Sequence, residues 1–185
     1  MTELATVVLP VAVAVAIAAG TWIVLRRTGI VAAESRETRA GRAALQAIEA
    51  DAVVVLDPVI GQVDQLRRGQ VEADTVAEAL ETASADTARL VGTARDAHVP
   101  RGLADVRLGM VAELERAGRA LEMVEHGRTI LASARTRGRE LEAQTAVKRG
   151  YLNLLHAREA LTRHAQAAAD YRSPTEARRD ARRAG

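Results

Sequence analysis

Four histidines, two tyrosines and no cysteine are the scarce chemistry-bearing residues in this 185-residue chain. Helical proteins that hold two metal ions through carboxylates use Glu-x-x-His on two helices. Here the residues three before His98, His126, His156 and His164 are Arg95, Met123, Asn153 and Leu161, so that motif is absent. Zinc held by thiolates is excluded without cysteine, and neither His-Glu-x-x-His nor a glycine-rich phosphate loop occurs. Glu122 and His126 are four apart on one helix face, which makes a surface pair rather than a metal site. Ser35, Ser84, Ser133 and Ser173 carry no nucleophile motif. The reading is a protein with no catalytic residues, no metal and no cofactor.

Two arginines are out of place on otherwise apolar stripes. Arg158 lies about 20° from the stripe that carries Val147 and Tyr151, and Arg128 shares the phase of Met110 and Leu121. An arginine so placed either extends its head to the bundle end or pairs with a carboxylate of another helix. The functional alternative groups Arg158 with Tyr151 and His164 around a small anion, with Arg128 as a second candidate. Structural pairing is the favoured reading, because buried charges are normally paired.

The elements that must position these residues begin with a membrane-length segment. Residues 4–25 contain no charge, and only Thr6 and Thr21 carry polar side chains, before Arg26 and Arg27 end the run. At 1.5 Å per residue such a helix is about 33 Å long, close to the ~30 Å of bilayer hydrocarbon. A cleaved signal peptide would need a basic start and a shorter apolar core. Residues 1–27 are therefore read as an anchor contacting lipid through 4–25. Ala12, Ala16 and Gly20 recur every four residues, the small-residue spacing of associating membrane helices.

Positive charge orients the anchor. Arg26, Arg27, Arg36, Arg39 and Arg42 follow the span and no Lys or Arg precedes it, so the expected placement is single-pass, with the N-terminus outside and the bundle cytoplasmic. The chain nets +2, but unevenly. Residues 172–185 set five arginines against Glu176 and Asp180, a net of +3, whereas 43–171 nets −3. Arg178, Arg179, Arg182 and Arg183 of this tail, with Arg26 and Arg27, are candidates for contact with anionic lipid headgroups. Nucleic acid is disfavoured, because the tail has no aromatic residue for stacking. Ser173-Pro174-Thr175-Glu176 reads as a helix start with a capping box and proline at the first helical position.

Between anchor and tail the composition is aliphatic and helix-forming, with no Phe and one Trp in the whole chain. Leu45, Ile48, Ala52, Val55, Leu56, Val59, Val63 and Leu66 form one helical stripe that runs through Pro58, where a kink near 54–57 is expected. Thr75 and Glu78 form a second capping box, opening a helix whose inward face carries Val76, Leu80, Ala83, Thr87, Leu90, Val91 and Ala94. A heptad-like run of Leu103, Val106, Met110, Leu114, Ala117, Leu121 and Val124 follows. Its end falls at Gly127 or Gly138, with Gly138 favoured. Val147, Tyr151, Leu154, Leu155, Leu161, Ala165 and Ala168 mark the last face.

The expected organisation is all-α: anchor 1–27, juxtamembrane connector 28–39, a bundle over 40–171 and a basic tail 172–185. Helices at about 36–68, 75–98, 102–137 and 139–171 with short connections imply an antiparallel up-down-up-down four-helix bundle. The fourth helix then returns the tail toward the anchor, making a basic collar. This outline implies a membrane-tethered, non-enzymatic interaction or assembly module with a protein partner or a second copy of itself. The alternative is a sensory bundle that binds a small anion between helices.

Overall fold

The computed structural model describes residues 2–133, 138–174, 176–178 and 181, and for 2–21 and 23–32 it describes the backbone alone. Among these residues the chain is helical and contains no strand. Four long helices account for it: α1 Thr2–Arg67, α2 Ala77–Asp96, α3 Ala104–Ala132 and α4 Glu140–Asp170. Short 3₁₀ turns, Ala73–Val76 and Arg101–Leu103, lead into α2 and α3. The contacts divide the chain into two compact units, Ala40–Tyr171 and a second comprising Met1–Arg39 with Arg172–Gly185.

In the larger unit every helix buries the stripe that its periodicity marks. Leu45, Leu56, Val63, Leu80, Leu90, Met110, Leu114, Leu121 and Leu154 join one aliphatic core, each almost wholly removed from water. Val55, Val91, Val106 and Tyr151 pack against that core half-buried. Cross-helix contacts give the directions. Asp57 meets Arg158 and Glu49 meets Thr162, Asp74 just ahead of α2 meets Arg128 while Arg95 meets Glu115, and Gly127 lies against Val147 while Gly109 lies against His164. In each set one helix runs up in number as its neighbour runs down, so the bundle is antiparallel.

Glycine sets how close α3 and α4 come. A Cβ on Gly127 would stand 2.8 Å from the Ala143 carbonyl oxygen, and one on Gly150 would stand 2.8 Å from that of Ala120. Real Cβ atoms do not approach backbone so closely, so the two backbones pack against each other directly. Gly127 is thus a buried interior residue of α3, and the chain turns at Gly138, whose φ of 98° suits glycine. At the other end, Gly69 with φ 68° closes α1, and its N–H donates to the Leu66 carbonyl.

One local expectation meets a different outcome. Thr75 does not cap α2: it lies within the 3₁₀ turn, its N–H donating to the Glu72 carbonyl at 3.2 Å, and no side-chain cap bond forms there. The turn satisfies the first donors by backbone geometry and leaves the threonine hydroxyl no role. The α-helix runs through residues 28–39, the juxtamembrane connector. The first stripe, which runs through Pro58, lies within one helix, as its kept phase implies.

In the smaller unit the tail's capping box is formed as its sequence implies. The Ser173 N–H donates to Glu176 Oε2 at 3.1 Å and the Glu176 N–H donates to Ser173 Oγ at 3.2 Å. Ser173 and Thr38 are both buried. Arg178 is exposed, whereas Arg179, Arg182 and Arg183 lie outside the described residues. The side chains of 4–21 and 23–25, and of Arg26 and Arg27, also lie outside them, and with these the small-residue face of Ala12, Ala16 and Gly20. Among the described residues no helix is long and apolar enough to cross a membrane.

Candidate functional site

Arg158 leans from α4 to α1. Its Nε donates to Asp57 Oδ1 at 2.9 Å and its Nη2 to Oδ2 at 3.2 Å, a two-bond pairing of fork and carboxylate. Its Nη1 donates to the Thr162 hydroxyl at 2.9 Å, and that hydroxyl donates on to Glu49 Oε1 at 2.9 Å. The Asp57 carboxylate holds the guanidinium above its ordinary range. The arginine is about one-third exposed, so the pair sits at the edge of the α1–α4 interface.

Tyr151, two turns earlier on α4, serves another arginine. Arg67 lies over its ring with Cζ 5.1 Å from the centroid, and the same guanidinium donates to Asp64 at 2.7 Å. That bond holds the Asp64 carboxyl below its usual value, with Arg68 adding to the effect. His164 fills space left by Gly109 on α3, where any Cβ would meet its imidazole. Tyr151, Arg158 and His164 therefore have separate neighbours on α1 and α3, and the structure does not gather them round one anion.

Arg128 is the most enclosed of the misplaced arginines. Its Nε and Nη2 each donate to Glu125 at 2.7 Å, one turn back on α3, and its Nη1 reaches Asp74 at 3.2 Å. Pairing raises the arginine and lowers Glu125 from their ordinary pKa values. His126 meets Glu142 of α4 at 3.7 Å, not Glu122. Among the described residues no group of three His, Asp or Glu is placed to hold a metal ion.

Two concave features border α1 and the start of α2, the first of them lined in part by Arg67 and Asp74 of these pairs. One, of about 440 Å³, sits where α1 turns into α2, between Leu66, Val71, Leu131 and Val147. The other, also about 440 Å³, is a groove between α1 and α2, floored by Val55, Val59 and Ala83 and bordered by Val54, Pro58, Glu78 and Asp86. Val54 at its lip is 73% exposed. Its one signal in the sequence is that Val54 and Pro58 stand beside the buried stripe rather than on it.

No family model, no curated protein and no solved structure matches the chain.

Proposed function

We propose that this protein is a membrane-anchored interaction module: residues 4–25 span the bilayer, and the bundle over Ala40–Tyr171 docks or assembles a protein partner at the inner face. What supports the anchor is the uncharged 22-residue run, whose backbone is helical from Thr2, followed at once by Arg26 and Arg27. The one-sided arginines support a cytoplasmic bundle. The grouping of Arg172–Gly185 with Met1–Arg39, together with the burial of Ser173, supports a tail held near the membrane-proximal part of α1. Its exposed Arg178 then faces anionic headgroups, with Arg179, Arg182 and Arg183 following in sequence.

The observation that favours a docking module over an anion sensor is the fork of Arg158, filled from α1 by Asp57. A ligand there would have to displace a carboxylate already making two charge-assisted bonds. The test is cross-linking in intact membranes followed by affinity purification of the full chain. A defined protein co-purifying in stoichiometric amount supports the reading, and recovery of the chain alone as a monomer removes it. Deletion of residues 2–27 is expected to release the bundle from the membrane fraction; a bundle that stays bound would remove the anchor.

A further inference from the structure

We infer that the α1–α2 groove is the docking site of the bundle and that its occupant is a basic amphipathic helix of a partner protein. This rests on the interaction-module reading and assigns it a surface and a partner chemistry. The groove has the form that receives a helix: an aliphatic floor between two antiparallel helices, with Val54 and Pro58 open to solvent along one lip. Such a lip buries its apolar surface only when something lies in the groove.

The sign of the occupant comes from the polar groups at the border. Among the described residues, Glu78 and Asp86 are the charged ones lining the groove, and Asp51 is exposed one helical turn before Val54. Asp86 is engaged by Arg89 of its own helix, whereas no ion pair among the described residues reaches Glu78. Pro58 adds a further acceptor. Having no N–H, it leaves the Val54 carbonyl without its helical donor, at the groove's own lip. Carboxylates and an orphaned carbonyl together favour an occupant that brings donors and positive charge, and an aliphatic floor favours one with Leu or Val on the facing side.

A second copy of this chain is the poorer occupant. A two-fold interface would set the same acidic border against itself, bringing like charges together over an apolar contact.

The absence of cysteine from the chain allows the test to be site-specific. In the full chain, in neutral-lipid nanodiscs, Gln62→Cys carries a benzophenone at the groove and Glu159→Cys carries one on the exposed face of α4. The probe is a sixteen-residue Leu/Lys amphipathic peptide, with a Leu/Glu peptide as its counterpart. The Lys peptide is expected to cross-link at 62 at least tenfold more than at 159. Glu78→Lys with Asp86→Lys is expected to abolish this and to favour the Glu peptide. If that charge reversal unfolds the bundle, the milder Glu78→Gln is expected to weaken capture about threefold, and the uncharged polar Val54→Asn to weaken it more.

Equal labelling at both positions, or labelling insensitive to Glu78→Gln and Val54→Asn, overturns the assignment. So does cross-linking at 62 to a second copy of the chain. Partner recovery from membranes without contact at 62 would overturn this groove while leaving the module standing. Recovery of the chain alone would remove both.

Discussion

The seam between α3 and α4 and the two helices that border the groove, α1 and α2, all contain glycine but put it to different uses. At the seam, Gly127 and Gly150 let one helix backbone rest on the other, and each faces a carbonyl of the opposite helix. In α1 and α2, Gly61 and Gly92 have no atom within 4 Å of where a Cβ would stand. A glycine inside a helix costs about 0.5–1 kcal/mol relative to alanine. At the seam that cost is offset by backbone packing that alanine would prevent. At Gly61 and Gly92 no neighbouring atom offsets it, as none does at Gly118 of α3, so these glycines stand open where those of the seam are enclosed.

Gly150→Val should therefore have the largest effect. Its Cβ would lie 2.5 Å from Val124 Cγ2 and 2.8 Å from the Ala120 carbonyl, and backbone cannot swing aside as a side chain can. The expected loss is about 3 kcal/mol, the upper part of the range for overpacked cores. A circular-dichroism melt should fall by about 10 °C, from the usual relation between stability and melting temperature. An unchanged melt would mean that the seam yields, and the contrast with the groove would disappear.

Gly61→Ala and Gly92→Ala should move stability the opposite way, each raising it by about 0.5–1 kcal/mol through lower unfolded-state entropy and better helix propensity. Urea denaturation of each single variant measures this. A loss at Gly61 would show that the α1 side is more tightly packed than its open geometry implies.

The same contrast explains how much could be read from the residues. Stripes such as Leu45-Ile48-Ala52-Leu56 and Met110-Leu114-Ala117-Leu121 were legible because a buried face must repeat at three and four residues, and all eight are buried. The turn at Gly138 was legible because a positive φ selects glycine. Which carboxylate answers Arg158 was not, since Asp57 lies 101 residues away and no local spacing encodes that register. The role of Gly127 was hidden for the same reason: a glycine that breaks a helix and one that admits a neighbouring backbone are identical in sequence. The Thr75 capping box failed because the 3₁₀ turn satisfied the same donors first. The groove was hard to see because it consists of residues left over from the stripes rather than of a motif.

The Arg158–Asp57 pair tests whether α1 is fastened electrostatically on the side away from the groove. With the partners about one-third and one-half exposed, a double-mutant cycle of Arg158→Met and Asp57→Asn should give a coupling of about 0.5–1 kcal/mol. The coupling should shrink when salt is raised, because partly exposed pairs are screened. Coupling above 2 kcal/mol would instead make this pair a principal fastening of α1 to the bundle.

The smallest expected effect concerns acid. Glu125 has its carboxyl lowered from 4.5, first by the hydrogen bonds of Arg128, which also reaches Asp74 ahead of α2. A carboxyl whose folded pKa lies below its unfolded one binds protons more readily when unfolded, so its contribution is full above about pH 5. It is lost as pH falls through 4.5 and then through the lower folded value. Because its side chain is 44% exposed, solvent screening limits the contribution at neutral pH to about 0.3–0.5 kcal/mol. Glu125→Gln should therefore flatten the stability profile below about pH 5 and change little else. A variant that becomes more acid-sensitive would mean that Arg128, once released, destabilises the α3 side of the bundle, placing its weakest electrostatic point there rather than along the open border of α1 and α2.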